Sequence, residues 1–165
     1  MHIKRENNMF KIGDKVVYPM HGAGVIEKIE EKEILGELKS YYILQIPYGH
    51  IHVMVPTDKC EEAGLRPIVK IKEMEEVIKT LGAKSTPMDE NWNRRLRDNN
   101  AKLKTGDPKQ VAEVIRNLTR IEREKKLSAG EKKLLSTARQ ILSSEMVLVN
   151  GVTETQADTI IESAI

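Results

Sequence analysis

The hydrophobic period of this chain changes once, near Pro67, from alternation to helical spacing. One element cannot hold both periods, so the chain must divide into a strand-rich front and a helical back. In the front, Val16-Val17-Tyr18 runs into Pro19-Met20-His21-Gly22-Ala23-Gly24, a turn with two glycines, and a second apolar run begins at Val25. Glu33-Ile34-Leu35-Gly36-Glu37 reads as a bend before Ser40-Tyr41-Tyr42-Ile43-Leu44-Gln45-Ile46. Pro47-Tyr48-Gly49 turns the chain into His50-Ile51-His52-Val53-Met54-Val55-Pro56, whose alternation is strict. Four or five short strands with Gly/Pro turns make a small barrel or strongly bent sheet of SH3-like or Tudor-like size.

Behind Pro67 the spacing predicts helices over 71–81, 89–104, 108–126 and 128–149, with a last one running to the C-terminus. Ala83 to Pro87 is a linker of small residues, Ser, Thr and Pro. Thr105-Gly106-Asp107-Pro108 is a compact stop and start: Gly ends one helix, Asp caps the next and Pro sits in its first turn. Ser128-Ala129-Gly130-Glu131 and Thr153-Glu154-Thr155-Gln156 are capping boxes, and Gly151 separates the helices between them. The expected fold class is therefore α+β in two domains, a small Tudor-like or SH3-like β-barrel followed by a compact all-α bundle of about five helices. The expected divisions are 1–8, a disordered extension or tag, 9–67 and 68–165.

The residue inventory excludes most chemistry. Cys60 is the single cysteine, so neither an internal disulfide nor a cysteine zinc site can form, and a reducing cytoplasm is expected. The leader 1–8 is polar and lacks the apolar core of a secretion signal, and no apolar run suits a membrane helix. Phosphate-loop, dinucleotide-binding and H-E-x-x-H motifs are all missing, so no enzyme, cofactor or small-molecule substrate is expected. His50 and His52 would face the same way on a strand, with His21 on a turn. Exposed histidines of this kind are mostly plain surface residues, and no metal is expected. Cys60 lies among Asp58, Glu61 and Glu62, which disfavour a thiolate.

Charge separates the two halves. Residues 1–67 carry nine Lys/Arg against ten Asp/Glu, whereas residues 91–140 carry fourteen against six. A basic helical half joined to a near-neutral sheet suggests different partners for each. Within the basic half, Asn91-Trp92-Asn93-Arg94-Arg95-Leu96-Arg97 holds the only tryptophan beside three arginines. Cations neutralise phosphates and a rigid aromatic can enter an opened base step, but Trp92, Leu96 and Leu103 also share a helical side, as a core anchor would. Along 108–126 the cations Lys109, Arg116, Arg120 and Arg123 align opposite Val111, Val114, Ile115, Leu118 and Ile121. That stripe is either a phosphate track or a solvated face.

Phe10-Lys11-Ile12-Gly13-Asp14-Lys15-Val16-Val17-Tyr18-Pro19-Met20-His21-Gly22-Ala23-Gly24, followed by Val53-Met54-Val55-Pro56, resembles the RNA-polymerase-interacting domain of the CarD/CdnL bacterial transcription regulators, which transcription-repair coupling factors share. Asn91-Trp92-x-Arg94-Arg95, Gly106-Asp107, Val111-Ala112-Glu113-Val114-Ile115-Arg116 and Leu127-Ser128-Ala129-Gly130-Glu131-Lys132 resemble the helical C-terminal domain of CarD/CdnL alone. The likeness runs from about Met9 to the end, and the helicase motifs of coupling factors are absent. It implies a Tudor-like domain that docks on the polymerase β subunit and a helical domain that meets promoter DNA with little base specificity. A tryptophan would wedge into the minor groove at the upstream edge of the bubble and stabilise the open complex.

The wedge falls on Trp92, with Arg94, Arg95 and Arg97 around it and the stripe Lys109, Arg116, Arg120 and Arg123 as further DNA contacts. The polymerase-binding positions fall on Lys32, His52, Met54 and Pro56. Met54 stands where a regulator of this kind carries an arginine, which weakens the case for a polar contact there but not for docking. The expectation is a cytoplasmic regulator held at the nucleoid through polymerase. Two rival readings are a sequence-tolerant DNA-binding protein that acts without polymerase, and a Tudor-like adaptor whose helices are a protein platform.

Overall fold

The computed structural model describes residues 9–165, so the expectation for 1–8 lies outside the described residues. Five antiparallel strands form one sheet in the order β4-β3-β2-β1-β5. They are β1 Lys15–Tyr18, β2 Gly22–Ile34, β3 Glu37–Ile46, β4 Ile51–Pro56 and β5 Arg66–Pro67. A 3-10 turn, Thr57–Lys59, follows β4. The ladders leave β4 and β5 as the two edges.

The bend expected over 33–37 narrows to two residues. Ile34 pairs with Glu37, and Leu35 and Gly36 between them both take positive φ, 53° and 78°. Positive φ at both central positions is the type I′ hairpin turn, whose twist matches the flanking strands. At the other end of β2, the register slips between Ile26 and Lys28, leaving Glu27 as a bulge that bends the strand. The inner face buries Phe10, Val16, Ile26, Tyr42, Leu44, Ile46, Val55, Cys60 and Leu65. Phe10 meets Tyr42 edge to face at 6.1 Å, and its backbone N–H donates to the Tyr42 hydroxyl at 3.2 Å.

The helices are α1 Ile71–Gly82, α2 Trp92–Lys104, α3 Pro108–Glu124, α4 Ala129–Asn150 and α5 Glu154–Ala164. Both expected capping boxes form, on Ser128/Glu131 and Thr153/Gln156, and Asp107 caps α3 ahead of Pro108. α2 starts three residues later than the spacing predicted, because Asn91 is the capping residue.

α3 is the centre of the bundle and packs on α1, α2 and α4. Val111, Val114, Ile115 and Leu118 are at most 2% exposed, and each such side chain contributes roughly 2–3 kcal/mol of burial. The sheet rests on the bundle through β2 against α4. Among the described residues no helix is long and apolar enough to cross a membrane.

Candidate functional site

The first turn of α2 is built around Asn91. Its side-chain carbonyl accepts from the backbone N–H of Asn93 at 3.0 Å and of Arg94 at 3.2 Å, while Asp89 Oδ1 accepts the Asn91 N–H at 2.8 Å. Two of the free N–H groups that open every helix are thereby satisfied. This sets Trp92 at the first helical position, 48% exposed and in neither core cluster. The core-anchor alternative therefore does not hold. No acidic residue sits in this turn, so the positive end of the helix dipole adds to the local cations.

The three arginines beside Trp92 separate. Arg94 and Arg97 are exposed on α2. Arg95 is not a surface cation: it is 7% exposed and pairs through Nε with Glu131, itself fully buried at the start of α4. Burial alone would raise the Glu131 carboxyl. The Arg95 guanidinium and the backbone and hydroxyl of Ser128 outweigh it and hold the group below the usual carboxylate range. Arg95 thus fastens the turn that carries Trp92 onto α4. At neighbouring positions α2 and α4 approach closely, since a Cβ on Gly130 would lie 3.0 Å from Leu96 Cδ2. Beside that crossing runs a groove of about 440 Å³, floored by Leu96, Leu134 and Met20 and edged by Asn93, Arg97 and Lys133.

The stripe on α3 must be corrected as well. Arg116 is 2% exposed; its Nη1 donates to the Thr80 carbonyl at 2.9 Å and its Nε to Asn117 Oδ1 at 3.0 Å. Arg120 Nη1 donates to the Ala83 carbonyl at 2.7 Å and to Ser85 Oγ at 2.8 Å. At the end of α1 the Thr80 carbonyl also takes the Ala83 N–H at 3.2 Å, and the two guanidinium groups add donors to it and to the Ala83 carbonyl just past the helix. Arg123 pairs with Glu162 on α5 at 3.1 Å. Only Lys109 of the four stays exposed without an ion pair among the described residues. Periodicity marked the side of α3 opposite its apolar stripe, but a central helix has neighbours on that side too.

Lys132 and Lys133 were missed. Both are exposed in the first turns of α4, and Lys133 shares the groove with Arg97. Their signal was present in Ser128-Ala129-Gly130-Glu131-Lys132-Lys133, a run read for its capping box and its family likeness but not for its charge.

In the sheet, His52, Met54 and Pro56 alternate along β4 and so share one face of an edge strand. Lys32 reaches them across β3: its Nζ lies 3.6 Å from Met54 Sδ and 3.9 Å from Glu30. His52 Nε2 is 3.1 Å from Glu27 Oε2 on the bulge. Beyond Lys32 the hairpin tip exposes Ile34, Leu35 and Leu38, Leu35 almost fully. On the other face, burial raises the Cys60 thiol, first by desolvation, which disfavours a nucleophilic thiolate.

With this geometry in hand, comparison with known proteins is specific. Residues 10–69 match the family described as the CarD-like/TRCF RID domain, and residues 76–162 match the CarD C-terminal domain. The chain is 41% identical over 148 residues to a protein of Bacillus subtilis (strain 168) described as putative transcription factor YdeB, covering 90% of this chain and 97% of that one.

Proposed function

The chain belongs to the CarD/CdnL family of transcription factors, and on that premise we propose that it docks on the RNA polymerase β subunit through residues 9–67 and holds promoter DNA open through residues 68–165. The docking surface is the β4 edge with Lys32, His52, Met54 and Pro56. An unpaired edge strand offers backbone donors and acceptors to a partner strand, and alternate side chains beside it give selectivity. Pro56 at the strand end is tolerated because an edge need not donate on both sides.

The observation that carries the DNA half is the exposure of Trp92 on a capped, ion-pair-fastened turn. A wedge must be rigid and apolar and must reach the duplex with phosphate-neutralising charge beside it. Arg94 and Arg97 supply that charge, with Lys133 across the groove and Lys132 next to it. Nothing in this set reads base edges, so binding is tolerant of sequence and placement comes from the polymerase. The protein performs no covalent chemistry in this reading and acts in the cytoplasm, where polymerase is.

The test pairs two measurements on the full chain. It should co-purify with the isolated β subunit, and it should lengthen the lifetime of open promoter complexes challenged with competitor. Binding to DNA with no binding to the β subunit would favour a polymerase-independent protein. Binding to the β subunit with no effect on lifetime would favour an adaptor.

A further inference from the structure

Three segments meet at one buried carboxylate, and the arginine bound to it reaches a fourth. Glu145 on α4 is 1% exposed, and its two oxygens accept from Nη1 and Nη2 of Arg66 on β5, each at 2.8 Å. The Val69 N–H, in the connection to α1, donates to the same carboxylate at 3.0 Å. Arg66 Nε turns the other way and donates to the Gly106 carbonyl between α2 and α3 at 2.8 Å. One residue before Glu145, Ser144 Oγ accepts the Ala23 N–H of β2 at 2.8 Å and donates to the Ile141 carbonyl at 2.7 Å. Gly106 itself has φ 71°, and a Cβ there would lie 2.9 Å from Pro19 Cγ of the β1–β2 turn. Sheet and bundle are thus joined by directional bonds at a seam that is closely packed at Gly106 and Pro19.

Stability is a weak reason for such a pair. Removing two charges from water costs much of what their attraction returns, and apolar side chains of similar volume often do as well. What the fork of Arg66 against a carboxylate does supply is a single geometry. We propose that Arg66 and Glu145, with Ser144, are positioning residues that lock the β4 edge and Trp92 at one fixed span. Docking of the sheet on its partner then delivers Trp92 at a high effective concentration to one site, whereas a loose joint would spread it over a volume. The lock is a property of the free protein; its consequence for DNA rests on the function proposed above.

The experiment measures the span directly. Spin labels at Glu37→Cys and Lys104→Cys, in the full chain with Cys60→Ala, report the distance distribution between the sheet hairpin and the end of α2. The parent should give one narrow distribution. Arg66→Met with Glu145→Leu should keep the melting temperature within a few degrees and leave β-subunit affinity unchanged. It should broaden the distribution and shorten open complexes about tenfold. Arg66→Lys, which keeps the charge without the fork, should broaden it too and covers the case in which the double variant fails to fold. A distribution as narrow as the parent's in the variants overturns the lock, and a broad one with unchanged open-complex lifetime overturns its coupling to the wedge. If the parent itself has no effect on open complexes, the proposed function fails while the distances still decide the lock.

Discussion

Arg95 and Glu131 form a buried ion pair, 7% and 0% exposed, that joins the first turn of α2 to the first turn of α4. The arginine nearest the tryptophan in sequence, apart from Arg94, therefore faces inward. Glu131 also closes the capping box, accepting the Ser128 N–H at 3.1 Å through its second oxygen. One carboxylate thus caps α4 and anchors the helix that presents Trp92. The exposed indole is held by its neighbours' buried charges.

Neighbouring arginines should consequently behave in opposite ways. Arg95→Ala strands a buried carboxylate and should cost about 3–5 kcal/mol of folding stability. Arg94→Ala should stay within about 0.5 kcal/mol in the same denaturation experiment, while weakening DNA binding. Equal stability losses at the two positions would contradict the division.

The same pair sets a pH dependence. The Glu131 carboxyl titrates below its unfolded value of 4.5, so its contribution is complete above that value and disappears as pH falls through the lower folded value. Melting temperatures of the parent and Glu131→Gln should differ most at neutral pH and converge on acidification below about 4.5. A gap that stays constant across the acid range would mean that Glu131 is not held ionised by Arg95.

Local signals in the sequence were legible where local chemistry decides. Ser128, Thr153 and Asp107 cap helices through bonds to residues two or three positions on, and the strand alternation follows one exposed and one buried face. The candidate site was legible only in part. Trp92, Arg94 and Arg97 lie where a surface reading puts them, yet Arg95, Arg116 and Arg120 bond to residues more than thirty positions away or to carbonyls of another helix. Helical phase gives direction around an axis, not what lies there. A cation facing a carbonyl-rich helix end and a cation facing water have the same periodicity.

Salt dependence distinguishes these two fates. Removal of Arg94, Arg97 or Lys133 should each lower the slope of log affinity for DNA against log salt by about one unit. Arg116→Ala should leave the slope alone and instead cost roughly 1–3 kcal/mol of stability, by taking a donor from buried Asn117 and from the Thr80 carbonyl. A reduced slope in the Arg116 variant, with stability intact, would restore the α3 stripe as a phosphate track.

At the sheet edge, Lys32 Nζ and Met54 Sδ are 3.6 Å apart, so a charge at either position acts on the same patch. Lys32→Glu should weaken β-subunit binding by about 1–2 kcal/mol if the partner surface is acidic. Met54→Arg adds a second cation at that patch and should tighten binding by calorimetry, despite repulsion from Lys32. Changes in the same direction for both variants would rule out an acidic partner at this patch.

The last prediction concerns Trp92. Its ring is half exposed and outside both cores, so Trp92→Ala should change folding stability by no more than about 1 kcal/mol. A core tryptophan would cost ~3–5 kcal/mol on the same substitution. The variant should still bind the β subunit as the parent does, because the edge proposed to dock lies on the sheet, away from Trp92. Open promoter complexes formed with it should decay faster, since holding an unstacked base step is worth a few kcal/mol that only a rigid aromatic at this position supplies. Trp92→Phe, which keeps an apolar ring of smaller area, should fall between the two. A melting temperature far below the parent's would place the ring in the core after all. Decay rates indifferent to the ring would leave Trp92 exposed for some other partner.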